Sequence, residues 1–162
     1  MNNLLGAKQQ LLLTRIGDHD AGQLVLSLLT TARQIDAACA ELLAGHDLSE
    51  ARLAALLAVS AEPDLTPGTL AERLEVTRAT VTGLIDGLER LALLERVASS
   101  GDRRSHTLRN TEAGERLLTE LTPIYAEWLA RLGVGIDPAV RDGAIRSMAA
   151  IQSALHAESD PR

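Results

Sequence analysis

The spacing of apolar residues along the chain changes from segment to segment and marks out its elements. Residues 1–20 carry Leu4, Leu5, Leu11, Leu12 and Ile16, enough for a tail or one short helix. From Gln23 to Leu43, Leu24, Leu28, Ile35, Ala38 and Leu42 recur at helical spacing, which predicts a long helix stopped at Gly45. Ser49 then stands as N-cap to a second helix whose buried face is marked by Leu53, Leu56 and Leu57. Pro63 breaks that run. Thr66 as N-cap, with Pro67 at the first helical position, opens a short helix that turns Leu70 and Leu74 inward. After a tight turn ending at Val76, Thr77 caps a helix with the stripe Val81, Leu84, Ile85, Leu88 and Leu91. Its outward face carries Arg78, Thr80, Thr82 and Arg90.

The period then shortens. "LLERVASSGDRRSHTLRN" reads as two short strands, 94 to 98 and 106 to 110, joined by a loop centred on Gly101. Thr111 and Glu112 open another helix, with the apolar stripe Leu117, Leu118, Leu121, Ile124, Tyr125, Trp128, Leu129 and Leu132. Pro123 lies inside this run and is expected to kink or divide it. Asp137 and Pro138 start a last helix carrying Val140, Ile145, Met148, Ile151 and Leu155.

Two short helices joined by a tight turn and followed by a hairpin make a winged helix-turn-helix. The fold class expected is therefore mainly α, with a two-stranded β-wing and long N- and C-terminal helices. Those long helices are more apolar than one small domain needs, which points to a homodimer. The expected organisation is a single domain: an N-terminal extension (1–20), dimerisation helices (21–47 and 112–162) and a winged core (48–111).

Composition fits a helical core. Of the 162 residues 46% are hydrophobic, yet one Trp, one Tyr and no Phe make up the aromatics, so Leu, Ala, Val and Ile must fill the interior. The single Cys39 excludes a disulfide within the chain. No apolar run approaches the ~18 residues of a membrane span, and "LLGAKQQLLLTRIG" is too interrupted for a secretion signal. A cytoplasmic protein without membrane partners is the expectation.

Charge is less simple. The net charge is -6, which argues weakly against nucleic acid, but location outweighs the sum. Residues 67–116 hold eight Arg against eight Asp or Glu, so the acidity lies elsewhere. Residues 96–109 hold four arginines, Arg96, Arg103, Arg104 and Arg109, against Asp102 alone. The hairpin reads as a local basic patch.

Residues 65 to 118, "LTPGTLAERLEVTRATVTGLIDGLERLALLERVASSGDRRSHTLRNTEAGERLL", resemble the DNA-binding core of the MarR family of bacterial transcription regulators. The most specific piece is the wing, Asp102, Arg103 and Arg104, followed by Thr111-x-x-Gly114 at the start of the next helix. Two positions depart from the family's usual pattern. Asn110 stands where Leu is usual before the Thr, and Ala92 where Gly is usual in the turn after the recognition helix.

A helix fits the major groove and reads base edges through its N-terminal residues. Here these are Thr77, Arg78, Ala79, Thr80, Thr82 and Gly83; Arg suits guanine, Thr offers a hydroxyl or methyl, and Gly83 allows close approach. Gly87 in the same helix has no account from sequence. By the resemblance, Arg104 enters the minor groove, whose narrow stretches concentrate negative potential. Asp102 would hold the arginines by an ion pair, Arg103 would face phosphate, and His106 beside the wing could touch phosphate too.

Other candidates are weaker. Cys39 falls late in its helix with no flanking cation to stabilise a thiolate, so a small buried hydrophobe is the better reading than an oxidant sensor. His19, His46, His106 and His156 are scattered, with no ligand spacing for a metal. Tyr125 and Trp128, three apart on one helical face, either pack the core or line a pocket for a small aromatic or anionic effector, which relatives often bind. No catalytic constellation appears, so neither an enzyme nor a cofactor is expected. The reading is a homodimeric, ligand-responsive repressor on a pseudo-palindromic double-stranded operator. The alternative is a winged-helix module for protein contacts without specific DNA binding.

Overall fold

The computed structural model describes residues 5–17, 20–98 and 106–159. Among them lie α1 (Ala7–Ile16), α2 (Asp20–Ala44), α3 (Glu50–Ala61), α4 (Pro67–Arg73), α5 (Arg78–Arg90), β1 (Leu94–Ala98), β2 (His106–Asn110), α6 (Glu112–Gly133) and α7 (Pro138–Ser159). The chain divides into two compact units at Leu118/Thr119.

The first unit contains the winged helix-turn-helix. Its helices begin where the sequence offers a side chain to the orphan amides of the first turn. Ser49 accepts from the Arg52 amide, Thr66 from the Thr69 amide and Thr77 from the Thr80 amide. Thr66 and Thr69 answer each other as a capping box, with Pro67 behind the cap.

Three helices end alike, in a left-handed residue that is not glycine. Asp47, Glu75 and Ala92 have φ of 54°, 53° and 55°. At the end of α5 the Ala92 amide donates to the Glu89 carbonyl and the Leu93 amide to that of Leu88, closing a Schellman motif. The same pattern at Glu75 and Val76 makes the tight turn between α4 and α5. Ala92 is thus the position where glycine would be unstrained, which gives the usual family residue its physical reason.

The core holds Leu53, Ala55, Leu56 and Val59 of α3, Leu70 of α4, and Val81, Ile85 and Leu88 of α5, with Leu94 and Leu108 from the strands. Leu57 departs from expectation, being 45% exposed. The buried face of α3 is centred on Ala55 and Leu56, and a small Ala contributes little to a hydrophobic period. The strands pair antiparallel in the register Leu94↔Asn110, Arg96↔Leu108 and Ala98↔His106. The Leu108 amide also donates to the Leu65 carbonyl at 2.8 Å, anchoring the hairpin to the segment before α4.

Thr111-x-x-Gly114 is a joint. The Thr111 hydroxyl donates to the Ala92 carbonyl (2.7 Å) and accepts from the Gly114 amide (3.1 Å), while its own amide bonds the Leu93 carbonyl (3.0 Å). A Cβ on Gly114 would lie 2.1 Å from the Leu93 oxygen, so only glycine fits. Asn110 beside it is buried, donating to the Leu56 carbonyl (2.9 Å) and to the Glu115 carboxylate (2.8 Å), which also accepts from Ser60 (3.0 Å).

α6 runs unbroken from Glu112 to Gly133 with Pro123 inside it, so the expected division does not occur. One missing amide costs one ladder bond, and the good helix formers on both sides carry the helix through. In the second unit Tyr125 and Trp128 pack on each other, ring centroids 5.2 Å apart. In α7 the Asp137 carboxylate accepts from the Ala139 amide at 2.8 Å. No described residue of α7 is buried, and Ile145, Met148 and Leu155 are exposed.

Candidate nucleic-acid interface

The amino end of α5 is an open polar surface. Thr77, Arg78, Ala79, Thr80, Thr82 and Gly83 are all exposed, while Val81 and Ile85 point into the core. Thr77 Oγ1 lies 2.9 Å from Thr80 Oγ1 and accepts from the Thr80 amide, so the pair retains one hydroxyl hydrogen for an outside acceptor. Thr82 donates its hydroxyl to the Arg78 carbonyl at 2.9 Å, which leaves its methyl and lone pairs to face outward. A Cβ on Gly83 would meet nothing within 4 Å. Among the described residues Arg78 has no ion-pair partner, and it stands at the positive end of the helix dipole. A guanidinium in that setting can fork onto a base edge or a phosphate.

The other half of α5 is committed internally. Arg96 on β1 bonds Asp86 at 2.7 Å and pairs with Glu89, and its amide donates to Glu89 at 3.3 Å. Its pKa is raised, first by the hydrogen bond to Asp86, against partial desolvation and with help from the Glu89 charge. Arg109 pairs across the hairpin with Glu95 at 2.9 Å. Arg90 donates to the Asp86 carbonyl at 3.2 Å. Two of the four arginines assigned to a basic patch from sequence are therefore neutralised by carboxylates. Sequence reasoning overlooked this because Asp86, Glu89 and Glu95 lie outside or at the edge of the run it counted. Asp102, Arg103 and Arg104, the candidate wing contacts, lie outside the described residues; His106 is exposed at the start of β2.

Gly87 gains an explanation. A Cβ there would lie 2.7–3.0 Å from the Arg52 guanidinium, which packs over α5 while donating to the Asp47 carbonyl at 3.0 Å. Cys39 is buried in α2. Tyr125 is half-buried and Trp128 buried; neither lines the cavity of about 290 Å³ beside β2 or that of about 410 Å³ between α1 and α2. Among the described residues no group of acids, His and Cys could hold a metal, and no helix is long and apolar enough to cross a membrane.

A capped helix presented beside an antiparallel hairpin defines a winged helix-turn-helix protein. A family model described as the MarR family matches residues 46–105. The HTH-type transcriptional repressor YetL of Bacillus subtilis (strain 168) is 34% identical over 108 residues, covering 64% of this chain and 65% of YetL. The chain thus spans somewhat under two thirds of that relative's length. The fold is similar to that in the S. aureus MepR–DNA complex (TM-score 0.72, 22% identity, covering 79% of this chain and 94% of MepR). It is also similar to the transcriptional repressor CouR bound to a 23-mer DNA duplex (TM-score 0.71, 25% identity, covering 84% and 99%). Over residues 46–105 the chain is similar to the MarR family.

Proposed function

We propose that the protein is a sequence-specific DNA-binding regulator of transcription, a repressor acting as a homodimer. The observation that carries this reading is the amino end of α5, where Arg78, Thr80, Thr82 and Gly83 share one exposed surface. Support comes from YetL, a named repressor, and from the similar folds of MepR and CouR in DNA complexes. Thr77 to Gly83 enter the major groove, with Arg104 in the flanking minor groove, Arg103 on phosphate and Asp102 holding both. The exposed apolar stripe of α7 supplies a pairing surface, so two α5 helices read half-sites about 34–36 Å apart. An aromatic or anionic effector, with Tyr125 and Trp128 as its candidate contacts, acts by changing that separation. Nothing in this reading calls for catalysis or a cofactor.

Selection of bound duplexes from a random pool tests it. A pseudo-palindromic consensus, bound with an affinity that falls steeply with salt, is the expected result. Failure to enrich any sequence, or salt-independent binding, overturns the reading and favours a protein-contact module.

A further inference from the structure

The winged helix offers DNA two contact elements, and the chain must hold them at a fixed angle for both to dock together. α5 ends at Arg90 and β1 begins at Leu94, so a short turn through Ala92 fixes where the hairpin starts. A turn of that length does not by itself fix the direction in which the hairpin leaves. One side of the hairpin is held by the Leu108 amide on the Leu65 carbonyl at 2.8 Å. The other side is held by Arg96, whose guanidinium spans Asp86 and Glu89, three residues apart on one face of α5. The Arg96 amide adds a third bond to Glu89 at 3.3 Å, tying strand backbone as well as side chain.

Asp86 continues the outward row of Arg78 and Thr82 at four-residue intervals, so Arg96 also masks a carboxylate that would face phosphate.

We propose that Arg96 is a positioning residue: it locks the wing to the recognition helix through Asp86 and Glu89 and does not itself touch DNA. The inference rests on the DNA-binding reading above. It also explains why an arginine on the wing is spent on two acids within the protein. Two linked contacts reinforce each other only while their geometry allows both to engage.

Charge and geometry make opposite predictions for the double variant D86N/E89Q. Removing two negative charges beside a polyanion should tighten binding if electrostatics alone mattered. Loss of the lock should weaken it. The measurement uses the full chain, a duplex selected from a random pool, and a scrambled duplex of equal length. We expect D86N/E89Q to bind the selected duplex about ten- to a hundredfold more weakly, with scrambled-duplex affinity unchanged or tighter. Global unfolding would lower both affinities together, so their ratio separates the lock from mere stability. Adding R96M to the double variant should cause no further loss and leave the salt slope unaltered. Amide exchange in β1 should quicken in the double variant, a readout independent of DNA.

Unchanged or tighter specific binding by D86N/E89Q overturns the proposal. So does a further loss on adding R96M with the slope falling by about one, since that marks Arg96 as a phosphate contact. Wild-type chain that enriches no duplex overturns the DNA reading and this inference together.

Discussion

The winged core and α7 treat their apolar residues in opposite ways. In the core Leu53, Leu56, Leu70, Val81, Ile85, Leu88 and Leu108 are each at most 5% exposed within one protomer. In α7 Val140, Ile145 and Leu155 are 65%, 55% and 58% exposed, and no described residue of the helix is buried. A contiguous apolar face left to water costs stability and solubility unless something covers it. The contrast separates two tasks. The core buries its apolar residues, whereas α7 leaves an apolar face exposed, the face that the proposed homodimer would cover.

Substitutions can break this contrast from either side. The largest effect is expected at Gly114, where any Cβ must drive the Leu93 carbonyl away. Gly114→Val should cost about 4 kcal/mol, read as a urea midpoint that does not vary with protein concentration. On α7, Met148→Asp should leave the core folded but cost the pairing surface about 3 kcal/mol, by burying an unpaired carboxylate. Sedimentation should then report monomers where the wild type gives dimers. A Met148→Asp protein that remains dimeric would place the pairing surface elsewhere. The smallest effect runs the other way. Ala92→Gly should stabilise the chain by about 0.5–1 kcal/mol, because relief of the left-handed residue outweighs the added freedom of the unfolded chain.

What could be read from the sequence was local. The caps at Ser49, Thr66 and Thr77 and the strand bounds at 94–98 and 106–110 follow from neighbours within four residues and from a change of period. Leu57 went astray because the alanines of α3 carry too little signal to fix its buried face. Pro123 does not divide its helix, because a breaker's cost is only one term among many along 22 residues. The long-range pairings were illegible. Nothing near Arg96 in sequence says that it reaches back to Asp86 and Glu89, and a count of charges made it look available. Asn110 was visible only as a departure from a family pattern; its partners, the Leu56 carbonyl and Glu115, come together only once β2 lies against α3. Gly87 likewise needed the Arg52 guanidinium in place before it could be explained.

The central claim is that a chain of net charge -6 reads DNA through the exposed amino end of α5. Arg78→Ala tests it most directly, because among the described residues that side chain has no ion pair to lose and so little stability at stake. The measurement is affinity for the selected duplex and for its single-base variants at fixed salt. The account predicts a loss of about ten- to a hundredfold, with discrimination relaxed at one base position in each half-site and the melting temperature nearly unchanged. Wild-type affinity and wild-type discrimination in Arg78→Ala would contradict it.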